Sequence, residues 1–322
     1  MKQIFLFVAF SAFFVLVTSE DKKCPLPQSV KPCRCTGEFY PVMYVCDNIT
    51  EQDSMNTVFK NTLDYPVDAL VLSHSSLLYL PVELLQTKKI AFLTISDTTM
   101  ASIFNGVLSP SNKLENIILY NTNFQRSIEW KLLANTSPKI IQIERVEVKR
   151  VGVEFYQSIR PTLRQLTLYK TRTASFNEKA FSKLTNLDHF ECTYNRIKVL
   201  KRSMFSSPSQ LVYIDFTSNR ITSLPDDMFE NMPKLHTVYF DNNELTMFTS
   251  TIWGKPYSKS LEEIHLLGNP IVCDCSIIWF KKQSRQVTIT GECKEPQNLK
   301  GRWLRDLSLR DFTYCPKAPS VQ

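Results

Sequence analysis

Glycine is scarce in this chain, with seven in 322 residues. The tight turns on which glycine-dependent motifs rely are therefore few. There is no phosphate-cradling glycine loop, no Gly-x-Ser-x-Gly elbow and no His-Glu-x-x-His pair, so the sequence offers no motif for phosphoryl transfer, serine hydrolysis or zinc hydrolysis. Dense basic runs are also missing. The net charge is +7, but its Lys and Arg are dispersed, which disfavours nucleic acid as a partner. Mild attraction to acidic glycans or membrane surfaces is all that this charge suggests. Long apolar stretches are confined to one, Ile4 to Val17, behind Lys2 and ahead of small and polar residues. At about fourteen residues it is short against the roughly twenty that a bilayer needs, so a cleaved secretory signal ending near Ser19 is favoured over an anchor. No later segment reads as a transmembrane span, and the ending CPKAPSVQ lacks the apolar tail of a lipid-anchor signal. The expectation is a chain released to an oxidising space, extracellular or matrix, where disulfides persist.

What the sequence does contain is a repeat. In LVYIDFTSNRITSLP, apolar residues fall at Leu211, Ile214, Phe216 and Ile221, with Asn219 between the last two. Neither a helical face nor plain strand alternation has that spacing. A frame that is apolar at positions 1, 4, 6 and 11 and polar at 9 fits, with few exceptions, starts at 67, 90, 114, 138, 163, 187, 211, 235 and 261. The intervals run from 23 to 26 residues. This is the spacing of the leucine-rich repeat. The fold expected is an α/β leucine-rich repeat solenoid, a horseshoe with a parallel concave sheet and disulfide-bonded caps at both ends. Its divisions would be a signal peptide at 1–19, an N-terminal cysteine cap at 20–66, eight repeats at 67–260, the last repeat with the C-terminal cap at 261–315, and a tail at 316–322.

Positions 4 and 6 should point inward from a short strand, and position 5 outward. The polar side chain at position 9 should pair with backbone groups that the chain reversal leaves open. That column reads Ser75, Thr98, Thr122, Val146, Thr171, Asn195, Asn219, Asn243 and Asn269. Val146 cannot hydrogen-bond, and position 11 slips once, to Thr173, so the N-terminal repeats should be less regular. The Pro138 repeat aligns least well. Phe181, Phe205 and Phe229 share one offset and read as a stacked convex core.

A solenoid exposes core at each end and needs caps. Cys24, Cys33, Cys35 and Cys46 precede the first repeat, while Cys273, Cys275, Cys293 and Cys315 follow the last. The solenoid holds the two clusters apart, so each should pair within itself. A zinc reading of the two Cys-x-Cys pairs is weak, because the usual spacing is Cys-x-x-Cys. Cys192 falls at position 6 and reads as a buried small hydrophobe, the rivals being a reactive thiol or an intermolecular bridge.

The stretch NPIVCDCSIIWFKKQ, with Cys293 and Cys315 beyond it, resembles the C-terminal cap of extracellular leucine-rich repeat proteins. That resemblance implies Cys273–Cys293 and Cys275–Cys315 and, by analogy at the other end, Cys24–Cys35 and Cys33–Cys46. CPLPQSVKPCRC, Cys46, Val58-Phe59-Lys60 and Pro66 further resemble a group of secreted arthropod leucine-rich repeat proteins. Its named member is the non-catalytic subunit of Oplophorus luciferin 2-monooxygenase. Resemblance to that group implies a partner protein that does no chemistry itself.

On the concave face the frame gathers Glu191, Asp215 and Asp241 with His189, Tyr194, Tyr213, Tyr239 and His265, and adds Tyr120 and Tyr169. Charged and aromatic residues on a rigid sheet suggest a protein-binding surface with tyrosine anchors. Glu191 and Asp215 should be neighbours in one column, which raises at least one pKa and leaves an acid/base or metal site as a rival. Ordinary solvated decoration is the bland alternative. Arg145, Lys170 and Arg164 in the middle of the face would suit an acidic partner segment. Two glycosylation sequons occur, at Asn48 and Asn135, the second weakened by Pro138. The sequence thus implies a secreted, non-enzymatic, cofactor-free protein that binds a protein partner through its concave face. The alternative is a stabilising subunit of a secreted enzyme complex.

Overall fold

The structure, a computed structural model, describes residues 24–315; the expected signal peptide and tail lie outside them. The nine repeats build nine consecutive strands: Ala69–Ser73, Phe92–Ser96, Asn116–Tyr120, Ile140–Glu144, Gln165–Tyr169, His189–Thr193, Tyr213–Asp215, Thr237–Tyr239 and Glu263–His265. All pair in parallel, and each begins at position 3 of its frame, so Ala69 aligns in turn with Phe92, Asn116, Ile140, Gln165, His189, Tyr213, Thr237 and Glu263. The Pro138 repeat keeps that register. Positions 1, 4, 6 and 11 are buried as the physics of the frame requires, except that Phe124 at position 11 is only partly buried; Leu211, Ile214, Phe216 and Ile221 are all at most 1% exposed.

The caps extend the sheet, a contribution the frame did not anticipate. Met43–Asp47 adds a parallel strand before the first repeat, and Arg34–Thr36 pairs antiparallel outside it. Thr288–Thr290 adds a parallel strand after the last repeat, completing a sheet of twelve. The four disulfides join Cys24 to Cys35, Cys33 to Cys46, Cys273 to Cys293 and Cys275 to Cys315, the pairing the resemblance implies. Cys192 is unpaired and fully buried, and burial pushes its thiol pKa far up, so it behaves as a small core residue.

The asparagine ladder stitches each repeat to the one before it. Asn219 Oδ1 accepts the Ile197 N–H (3.0 Å), and its Nδ2 donates to the carbonyls of Cys192 (2.7 Å) and Phe216 (2.9 Å). Asn195, Asn243 and Asn269 make equivalent bonds. The N-terminal hydroxyls do less. Thr98 accepts the Ser75 N–H (3.2 Å) and donates to its own repeat's Ser96 carbonyl (2.7 Å). At the slipped position 11, the Thr173 hydroxyl donates to the Val148 carbonyl (2.7 Å), which lets a buried polar group stand in the core. The weaker ladder leaves the strand register intact. Register is set by backbone pairing and by the inward residues at positions 4 and 6, and a one-residue slip would turn those out to solvent. Irregularity appears on the convex side instead, where the helices Gln52–Lys60, Val82–Lys88, Val153–Ser158 and Ser250–Lys259 alternate with bends and 3-10 turns.

Phe181, Phe205 and Phe229 are all buried, and the first two rings lie 5.6 Å apart. They belong to a longer apolar spine in which Trp130, Phe155 and Phe181 meet edge to face at 4.8 and 5.8 Å. Arg202, which the frame did not single out, is also buried. It donates from Nη1 and Nη2 to the carbonyls of Phe205 (3.1 Å) and Ser206 (2.8 Å), tying down the convex loop.

Position 8 is left-handed in all nine repeats: His74, Asp97, Asn121, Arg145, Lys170, Tyr194, Ser218, Asn242 and Gly268 all have φ between 45° and 75°. The turns that scarce glycine seemed to exclude are present, eight of the nine on non-glycine residues. Sheet pairing on one side and, except at Arg145 where Val146 follows, the position 9 side-chain bonds on the other over-determine a conformation that costs a non-glycine residue about 1–2 kcal/mol. At Gly268 the space is also tight, since an added Cβ would lie 2.4 Å from Asn242 Oδ1.

Candidate functional site

The sheet register decides which of the candidate residues meet. His189 and Tyr213 are aligned at position 3 of neighbouring strands, and their rings stack at 4.2 Å with planes 2° apart. Tyr239 and His265 are aligned at position 5 of the next two strands and stack at 4.0 Å. Tyr213 and Tyr239 join the pairs at 5.5 Å, so four rings form one row across four strands. His265 is further held by Thr290 from the cap strand (3.2 Å) and by Glu263 (3.4 Å). Glu263 sits at position 3, where the repeat frame would have placed it, and is an addition to the expected set.

The carboxylates lie in the same field. Glu191 and Asp215 are aligned neighbours at position 5, and Asp215 is aligned in turn with Tyr239. Asp215 accepts from the Tyr213 hydroxyl (3.2 Å) and the Thr217 N–H (2.7 Å), and Asp241 accepts from the Leu267 N–H (2.6 Å). Glu191 accepts from the Thr193 hydroxyl (3.1 Å). Burial first, then repulsion from Asp215 and Glu144, pushes the Glu191 pKa above the usual carboxylate value. Burial, helped by Asp215, also raises Asp241. Burial lowers the His189 pKa against the opposing pull of Asp188 and Asp215, and raises that of Tyr213, favouring the neutral form of each ring.

Tyr169, Tyr194 and Tyr120 belong to different neighbourhoods. Tyr169 and Tyr194 meet edge to face at 5.4 Å, and Lys170 Nζ lies 5.1 and 5.0 Å from their ring centres. Arg145 covers Tyr120 at 5.7 Å, three strands from His189. Arg164 pairs with Asp188 (2.6 Å). The central cations are therefore engaged within the protein. Among the described residues no group of three or more His, Cys, Asp and Glu is placed to hold a metal ion. No helix among them is long and apolar enough to cross a membrane.

Because ionised Glu191 costs the folded state, its linkage has a definite sign. The cost is present at pH above the raised folded pKa, and it is relieved as pH falls through that value towards the unfolded one. Glu191→Gln should therefore raise the melting temperature at neutral pH, and the gain should vanish in acid. Solvent screening of this partly exposed group keeps the gain below about 1 kcal/mol. Paired thermal melts at neutral and acidic pH test this; equal gains at both would refute it.

A family model described as BspA type leucine rich repeat region matches residues 127–258 in six copies. The chain has the leucine-rich repeat fold. Among solved structures, 257 chains match this repeat protein. One is from the octameric complex of Latrophilin 3 (Lec, Olf), Unc5D (Ig, Ig2, TSP1) and FLRT2 (LRR), at 18% identity and a TM-score of 0.53, covering 78% of this chain and 91% of that one. No curated protein matches it. At such identity the likeness concerns the fold.

The two sequons of the repeat protein differ in setting. Asn48 is exposed just beyond a cap strand. Asn135 is partly buried, and its Nδ2 donates to the Leu108 carbonyl (2.9 Å), a bond that a glycan on that nitrogen would disturb.

Proposed function

We propose that this is a secreted, non-enzymatic recognition protein that binds a protein partner through the C-terminal half of its concave sheet. The row of four rings beside Glu191, Asp215 and Asp241 carries this reading, because these side chains stand on a rigid sheet rather than on loops. A preformed surface of that kind spends little ordering entropy on binding. Four cap disulfides support an oxidising location, and exposed Asn48 is the favoured glycosylation position. The solved complex above, in which an LRR component assembles with two other proteins, is in keeping with a protein partner.

Size-exclusion chromatography of the native secretion, with mass spectrometry of each fraction, tests the reading. A recognition protein should elute near its monomer mass and shift only when its partner is present. Elution at higher mass with one companion in fixed ratio would replace this reading with that of a stabilising subunit. Absence of the chain from the secretion would overturn both.

A further inference from the structure

The chain is basic overall, yet in the C-terminal half of the concave face Glu191, Asp215 and Asp241 have no lysine or arginine paired with them among the described residues. Several carboxylates elsewhere have a cation beside them: Glu115 with Lys139, Asp188 with Arg164, Glu178 with Lys201, Glu230 with Lys255 and Asp311 with Arg302. Among the described residues, Glu191, Asp215 and Asp241 form no ion pair; they accept only from hydroxyls and backbone N–H groups. The nearest cations on the face are taken, Lys170 by Tyr169 and Tyr194 and Arg145 by Tyr120. Burial holds Glu191 and Asp241 above the usual carboxylate pKa, and an oppositely charged partner on this face offsets the cost of ionising them.

We propose that the partner docks a basic segment onto this face, placing arginine or lysine side chains against Glu191, Asp215 and Asp241. The proposal rests on the reading of the concave sheet as the partner surface and adds the charge of what it binds. One face of each ring in the row is occupied by its neighbour, so the carboxylates hold the cations and the rings form a stiff wall beside them. Glu191 and Asp215 are one strand spacing apart, about 4.8 Å, and Asp241 lies one strand further and two positions along, so an extended segment crossing the strands can bring successive cations to all three. Arginine has the advantage, since its planar fork can accommodate two carboxylate oxygens at once.

The test uses the full secreted chain and labelled peptides of alternating arginine and serine, or glutamate and serine, followed by fluorescence anisotropy. The wild type should bind the arginine peptide, more weakly as salt rises, and should not bind the glutamate peptide. The triple variant E191Q/D215N/D241N should lose at least about tenfold in affinity. The triple variant E147Q/E178Q/E230Q, with the same change in net charge on other faces, should bind like wild type. Equal losses in both triple variants, or preference for the glutamate peptide, would overturn the proposal. Gln165→Trp adds bulk beside His189 and leaves every carboxylate in place, so it separates the two levels of the argument. If it blocks capture of the native partner while E191Q/D215N/D241N does not, the surface stands and the basic segment fails. If neither variant affects capture, the concave reading fails as well.

Discussion

Asn219→Ala is expected to destabilise the protein by about 3 kcal/mol, well above Thr122→Val in the same column. The arithmetic is that of orphaned backbone groups. Phe216 O keeps a second donor, Asn243 Nδ2 at 2.9 Å, after the substitution. The Ile197 N–H and the Cys192 carbonyl lose the Asn219 partner and stay buried, each at a cost of about 1–3 kcal/mol. Thr122→Val should cost about 1 kcal/mol, because its hydroxyl only donates, to the Tyr120 and Ile95 carbonyls. Asn219→Asp is the sharper probe. It keeps the shape and the acceptor but loses the donor, so it should destabilise at least as much as alanine at neutral pH. Urea unfolding with hydrogen exchange at the Ile197 amide gives the readout. A loss below about 1 kcal/mol for Asn219→Ala would mean that the column only fills space.

The second large effect concerns the C-terminal cap. Replacing Cys273 and Cys293 together with alanine should cost about 3 kcal/mol, the chain-entropy value for a separation of 20 residues. The loss should be local. Each repeat contacts only its neighbours, so unfolding should start at 261–315 and leave the central Phe and Asn columns protected. Cap residues such as Ile277, Phe280, Ile289 and Leu304 bury the end of the last repeat and would be exposed first. Hydrogen exchange by segment checks this. Uniform loss of protection along the chain would show instead that the solenoid unfolds as one unit.

Most of the fold could be read from the sequence because the repeat frame carries register directly. Nine strand positions follow from the spacing of leucines and their equivalents, and even the Pro138 repeat obeys, because Ile141 and Ile143 still face inward. The cap strands escaped the frame. At Met43–Asp47 the inward residues are Tyr44 and Cys46, and at Thr288–Thr290 only Ile289 is a buried apolar residue, so neither stretch has the leucine signature. The left-handed column was hidden for a related reason. Position 8 holds His, Asp, Asn, Arg, Lys, Tyr, Ser and Gly, and a conformation imposed by tertiary pairing leaves no consensus residue. For the site, the columns named the residues but not their grouping. Tyr120 and His189 share a face on paper, yet two strands lie between theirs, whereas stacking of His189 on Tyr213 depends on ring orientation that spacing does not encode.

The edges of the twelve-stranded sheet have a consequence for the protein in a crowded fluid. A row of parallel strands has no natural end, and an open edge is a template for the next chain. Here the outermost strands, Arg34–Thr36 and Thr288–Thr290, are three residues each and lie within the cysteine-rich ends. One of them runs against the direction of its neighbour, so an incoming copy meets neither a long nor a uniform row of free backbone groups. A molecule built on a principle that could propagate into a filament is thereby kept to a finite length, and its concave sheet is not continued by copies of itself.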